Sequence, residues 1–168
     1  MINIKLTIKS WNCVYFWTKK NTMRVRLTKE FGFETAHALD GYHGKCKDIH
    51  GHSYHLKVTI LGSPKKDPQA SDCGMVMDFG DLKDIVREHV VKQFDHHLIL
   101  RKDSRFKGIE EKNERMRYVD YQPTCENMLL EIVDIILQNL PEDIHLHSAH
   151  LRETATSYAE WHSEDNAR

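Results

Sequence analysis

Three histidines and one cysteine stand at spacings that suit metal and acid–base chemistry. They are His37 and, in the run Cys46-Lys-Asp-Ile-His50-Gly-His52, Cys46, His50 and His52. In an extended strand, residues i and i+2 project to the same side, so His50 and His52 share the face of Tyr54, Leu56 and Val58. His37 ends an earlier alternating run, on the face of Phe31 and Phe33. If the two runs pair as antiparallel neighbours, all three imidazoles meet. Three neutral imidazoles suit zinc, and three protein ligands leave a fourth position open, as catalytic sites do. The plain alternative is three ordinary polar residues near a sheet end. Gly51, between two ligands, permits a bend or a close backbone approach. Cys46 has two readings: a fourth ligand that closes a structural site, or a thiolate near a cation that acts as base or nucleophile. In Asp95-His96 a carboxylate beside an imidazole can fix its tautomer and raise its basicity. Glu153, in Arg152-Glu153-Thr154, falls at a turn, where a single carboxylate is usually solvated. His89 on a helix, and His145 and His147 on a strand facing solvent, have no such partners; Cys13, Cys73 and Cys125 read as structural or incidental.

The elements that must position these residues follow from periodicity. From Val25 to His37 the odd positions, with Lys29 the exception, form one face against Arg24, Arg26, Glu30 and Glu34, which is a strand with one wet face. Tyr54, Leu56, Val58 and Ile60 alternate against Ser53, His55, Lys57 and Thr59 in a second strand. Asp78 can cap a helix whose Phe79, Leu82, Ile85, Val86, Val90 and Phe94 fall at helical spacing. Residues 101–122 are polar and long for a connection, hence mobile or functional. Thr124 can cap a second helix with Met128, Leu129, Ile132, Val133, Ile136 and Leu137 as its stripe, closed by Pro141. Ile144 to Arg152 and Ala155 to Trp161 read as a closing strand pair. The order ββααββ predicts an α+β fold: a four-stranded antiparallel sheet with both helices on one face. Its other face and its edges then need cover, which points to a homo-oligomer.

Composition narrows the function classes. The 168 residues suffice for one domain, and 40% hydrophobic with 29% charged residues is a soluble, globular balance. Lys+Arg 24 against Asp+Glu 25 leaves a formal net charge of -1, which argues against a nucleic-acid binder held by bulk charge. No apolar run approaches the ~18 residues of a membrane span. Four cysteines without a paired framework fit a reducing, cytoplasmic compartment. Residues 1–22 are broken by Lys5, Lys9, Lys19 and Lys20 and lack the apolar core of a signal peptide; they read as an extension outside a single domain at 23–168.

The ordered set Phe33-Glu-Thr-Ala-His37, Cys46-x-x-x-His50-Gly-His52, Gly74-Met-Val-Met-Asp78-Phe, Asp95-His96, Pro123-Thr-Cys-Glu126-Asn127 and Arg152-Glu153-Thr154 resembles the 6-pyruvoyltetrahydropterin synthase / 6-carboxytetrahydropterin synthase family over about residues 23–162. The resemblance implies the tunnelling fold, in which trimers, usually stacked into hexamers, close their sheets into a barrel. It implies zinc on His37, His50 and His52, with Cys46 as the proton-abstracting base. It also implies Asp95 and His96 as a proton relay and Glu153 as the pterin anchor. A carboxylate suits that last role because a pterin presents a ring N–H and an exocyclic amine side by side. The substrate implied is the small molecule 7,8-dihydroneopterin triphosphate, with zinc as a Lewis acid on its side-chain oxygens. Candidates to neutralise the triphosphate are Lys45, Lys47, Arg101, Lys102 and Arg105. The short cysteine-to-histidine spacing resembles the branch that forms 6-carboxytetrahydropterin and acetaldehyde for the deazapurine (queuosine) pathway. The pyruvoyl-forming branch, and a non-catalytic zinc protein in which Cys46 closes the site, are the alternatives.

Overall fold

The computed structural model describes residues 23–109 and 115–166. The expected extension at 1–22, with Cys13, lies outside the described residues. Strand β1 (Val25–His37) buries Phe31, Phe33, Thr35 and His37 and exposes Glu30 and Glu34, as its alternation requires. Strand β2 (His50–Gly62) runs antiparallel to it and buries Tyr54, Leu56, Val58 and Ile60. Helix α1 (Phe79–Val86) starts at Asp78, whose side chain accepts from the Gly80 amide. It continues through a π-helical stretch, Arg87–Val91, into the single turn α2 (Lys92–Phe94). Helix α3 (Cys125–Asn139) is capped by the Thr124 hydroxyl, which accepts from the Asn127 amide at 3.3 Å. Strands β5 (His145–Arg152) and β6 (Tyr158–His162) form the expected closing pair, antiparallel to each other. Leu82, Val86, Val90 and Phe94 from the first helical run and Met128, Leu129, Ile132 and Ile136 from α3 pack with the inward strand residues into one core. Among the described residues no helix is long and apolar enough to cross a membrane.

The sheet differs from the four antiparallel strands expected. Two short strands, β3 (His97–Arg101) and β4 (Met116–Val119), extend it beyond β1, so it has six strands in the order β4-β3-β1-β2-β5-β6. Both pairings on that side are parallel. Leu98, Ile99 and Leu100 form a continuous apolar run, the pattern of a strand covered on both faces, which alternation cannot detect. β4 is a four-residue edge strand inside the stretch read as a connection.

His147 is a second correction, for it is buried rather than facing solvent. Thr59 pairs with Ser148 and Ile60 with Leu146, so β5 carries one extra residue opposite β2. Such a bulge breaks the two-residue alternation and turns consecutive side chains inward. His145 remains exposed as expected.

Candidate metal centre and active site

The β1–β2 register sets His37 opposite His50 and Thr35 opposite His52 at the end of the hairpin. The imidazole centroids lie 4.5 Å (His37–His50), 5.3 Å (His37–His52) and 5.0 Å (His50–His52) apart. One ring nitrogen from each histidine falls within 4.8 Å of the others. A strand ladder thus converts the spacing His-x-His and a distant third histidine into a cluster, provided the backbones approach closely. Gly51 meets that demand, since a Cβ there would sit 3.3 Å from the Thr35 carbonyl oxygen.

Backbone carbonyls set the tautomers. The Nδ1–H of His37 donates to the Pro123 carbonyl at 2.6 Å, and that of His50 donates to the Asp48 carbonyl at 2.8 Å. A carbonyl can only accept, so the lone pair of each ring is left on Nε2. Both Nε2 atoms are buried and have no hydrogen-bond partner. A buried acceptor without a donor is costly in a folded protein. Two imidazoles whose lone pairs are held on buried Nε2 atoms, with the His52 ring beside them, match the donor set of a zinc site, and a carbonyl behind a ligand is the usual support for one. The donor set therefore fits a metal ion. Burial, and the neighbouring His50, push the pKa of His37 below its usual 6.5; burial does the same to His52. Both are therefore neutral, and able to ligate, at neutral pH.

Glu153 does not point into solvent, although it lies at a turn. Its Oε1 is 3.7 Å from His37 Nε2 and 3.9 Å from His52 Nε2, and the carboxylate is only 23% exposed. The turn that presents it is closed by the amides of Glu153 and Thr154, which donate to the Ser157 carbonyl. The hydroxyl of Tyr54, a residue 2% exposed, donates to the same Oε1 at 2.8 Å. Burial first, then the Glu153 charge and this hydrogen bond, drive the Tyr54 pKa far upward, so its proton stays on oxygen.

Cys46 lies on a single 3-10 turn, Lys45–Lys47, in the loop between β1 and β2. It is a free, half-buried thiol. It is not among the residues whose ligand atoms converge with the three histidines. Cys125 is buried, its thiol donates to the Leu151 carbonyl, and burial pushes its pKa up to about 12, which suits a structural role.

Asp95 and His96 form the expected pair but stand apart from the histidine cluster. Asp95 accepts from the Glu34 amide at 3.0 Å, and His96 Nε2 is 3.9 Å from Asp95 Oδ1. They sit beside Glu34, three residues before His37, or about 10 Å along β1 at ~3.3 Å per residue. His96 is 63% exposed and holds a left-handed backbone, with φ of 58°. Such a conformation in a non-glycine residue is uncommon and concentrates at functional positions. His96 and His52 line one cleft of about 640 Å³, shared with Ser53 and Arg115.

Of the phosphate candidates, Arg101 pairs with Asp103, Lys102 with Asp120 at 2.6 Å, and Arg105 with Asp48 at 2.8 Å. Lys45 and Lys47, on either side of Cys46, form no ion pair among the described residues. Residue spacing did not reveal Tyr54, Arg115 or the Pro123 and Asp48 carbonyls. Only Tyr54 left a trace, as a hydroxyl on a core face that had to find a partner.

Together, an α+β sheet-and-helix fold and a three-histidine cluster that could hold a metal ion, faced by a carboxylate, are the frame of a pterin-synthase-type protein. The profile of the family described as 6-pyruvoyl tetrahydropterin synthase matches residues 26–164, and the chain belongs to that family, which is one of enzymes. The 6-carboxy-5,6,7,8-tetrahydropterin synthase of Haemophilus influenzae is 36% identical over 143 residues, covering 81% of this chain and 97% of that protein. The protein of the same name from Rickettsia bellii is 33% identical and covers 70% and 84%. The structure of Caenorhabditis elegans 6-pyruvoyl tetrahydropterin synthase superimposes with a TM-score of 0.60 over 84% of this chain and 96% of that one, at 22% identity. The fold is the tunnelling fold, with two strands more than the order ββααββ contains.

Proposed function

We propose that the chain is a zinc-dependent carbon–carbon lyase that converts 7,8-dihydroneopterin triphosphate and one water to 6-carboxy-5,6,7,8-tetrahydropterin, acetaldehyde and triphosphate for deazapurine (queuosine) synthesis. The observation that carries the reading is the pair of orphaned, buried Nε2 atoms of His37 and His50, converging with His52 beside the Glu153 carboxylate. The names of relatives that cover most of the chain support the choice of product.

His37, His50 and His52 would hold the zinc, which supplies Lewis-acid polarisation of the substrate's side-chain oxygens. The remaining chemistry belongs to the chain. Glu153 accepts from the pterin's ring N–H and exocyclic amine, with Tyr54 fixing the carboxylate from behind. Cys46 takes the proton from the side-chain carbon next to the polarised oxygens. The Asp95–His96 pair returns protons as triphosphate leaves and the carbon–carbon bond breaks. Lys45, Lys47 and Arg115 are the cations available to the triphosphate. A thiol base is preserved in a reducing compartment, which suits a cytoplasmic enzyme. The working domain is 23–168, assembled as a trimer or hexamer.

Incubating the zinc-loaded protein with dihydroneopterin triphosphate and analysing the products tests the reading. One acetaldehyde per 6-carboxytetrahydropterin is expected. Pyruvoyltetrahydropterin without acetaldehyde would assign the protein to the pyruvoyl-forming branch. No turnover with zinc retained would favour a non-catalytic zinc protein.

A further inference from the structure

Twelve residues, 38–49, connect His37 to its partner His50, and this loop carries Cys46. A connection of that length, without a strand of its own, would ordinarily wander. Here it is gripped from outside. The Leu39 amide donates to the Cys46 carbonyl at 2.9 Å and closes the neck of the loop. The Arg105 guanidinium then reaches across from the turn after β3. Its Nη2 donates to the Lys47 carbonyl at 2.6 Å and to Asp48 Oδ1 at 2.8 Å. The Arg105 backbone amide donates to Asp40 Oδ1 at 3.1 Å, and Asp40 is only 7% exposed. Gln122 Nε2 donates to the Asp40 carbonyl at 2.8 Å, one residue before Pro123, whose carbonyl orients His37.

The contacts form a chain. Arg105 holds Lys47, the residue after Cys46, and Asp48, whose carbonyl fixes the tautomer of His50. From these contacts we infer that Arg105, with Asp40 beneath it, is a positioning residue that holds the Cys46 turn and the His50 imidazole in register with each other. This rests on the reading of the three histidines as zinc ligands and Cys46 as the base. A stability role explains the arrangement less well. Arg105 is 50% and Asp48 66% exposed, and ion pairs that open to water contribute little to folding. What Arg105 fixes is position, at the two points where the site draws on the loop.

The test uses the full chain and two readouts that need no substrate. One is zinc affinity by chelator competition. The other is the alkylation rate of Cys46 in the metal-free protein, read by mass spectrometry on the peptide carrying that residue. Arg105→Gln is expected to keep its melting temperature within a few degrees, to lose roughly 10- to 100-fold in zinc affinity, the usual scale for removing support behind a metal ligand, and to alkylate several-fold faster. Arg105→Lys, which keeps the charge but offers one compact donor group in place of the fork, should recover part of both losses. A folded Arg105→Gln with wild-type zinc affinity and wild-type Cys46 reactivity would overturn the inference. If the wild-type protein itself holds no zinc, the proposed function fails, and the Cys46 alkylation ratio still decides the role of Arg105.

Discussion

At the scale of single residues, the proposed function gives each side chain of the site one chemical task, and the tasks separate under substitution. His50→Ala removes one of three converging nitrogens and should abolish zinc retention, measured as metal content after gel filtration. Cys46→Ala should keep its zinc and lose roughly two to four orders of magnitude in turnover, the range for removing a general acid–base group. Glu153→Gln offers the pterin one acceptor and the wrong donor. It should weaken substrate binding by about 2–5 kcal/mol, the cost of breaking a buried, charge-assisted pair, while zinc content stays unchanged. Substrate affinity within twofold of wild type would remove Glu153 from the site. The histidine cluster was legible in the sequence because strand alternation maps spacing directly onto faces. The carbonyls of Pro123 and Asp48 were not, since a backbone group carries no residue identity and depends wholly on where the chain passes. Glu153 was legible only through the family resemblance; its neighbours in sequence suggest a solvated turn.

Secondary-structure elements decide how firmly the site is held. Burial of His37, and partial burial of His52, at the end of the hairpin has a pH signature. Burial sets the pKa of His37 and of His52 below the usual 6.5, so the unfolded chain binds more protons than the folded one as pH falls. The metal-free protein should therefore lose stability as pH drops through and below 6.5, and this contribution should be fully present above it. Melting curves at pH 8 and pH 5.5 measure this, and the drop should shrink in His37→Gln. On the other side of β1, the short strand β4 is tied to α3 by Arg117, whose guanidinium donates to both oxygens of Glu131, at 2.9 and 2.5 Å. Tyr121 donates to the same carboxylate, and the guanidinium lies 4.9 Å above the Phe94 ring. Arg117→Met leaves that half-buried carboxylate without its cation and should cost about 1–3 kcal/mol in denaturant unfolding. The helices and the four strands β1, β2, β5 and β6 were legible from periodicity and caps. β3 and β4 were not, because a short continuous apolar run and a four-residue edge carry no period, and the bulge at His147 breaks the period it would have needed.

On the scale of the whole molecule, the single chain brings His37, His50, His52 and Glu153 together and carries the Asp95–His96 pair further back along β1, beside Glu34. The sheet ends in two edge strands, β4 and β6, and an unpaired edge invites a partner. The family resemblance implies a barrel of several copies; in such an assembly the exposed His96 would serve either the cleft it shares with His52 or a site on a neighbouring chain. Native mass spectrometry should give a trimer or hexamer. Where His96 serves a neighbour, mixing inactive Cys46→Ala and His96→Ala subunits should restore activity, because some sites receive an intact thiol and an intact relay; no recovery after subunit exchange would place both functions within one chain. Oligomeric assembly was legible only as a sheet face and edges in need of cover, since one chain's sequence does not say which surface meets which.

The proposed function requires three histidines that hold zinc with a position left open for substrate, and a Cys46 free to act as base. X-ray absorption at the zinc edge of the loaded protein tests it most directly. Three nitrogen scatterers and one exchangeable oxygen at about 2.0–2.1 Å are expected, with the oxygen shell altered when dihydroneopterin triphosphate is added. A sulfur scatterer at about 2.3 Å that survives substrate addition would contradict it, because Cys46 would then close a structural site.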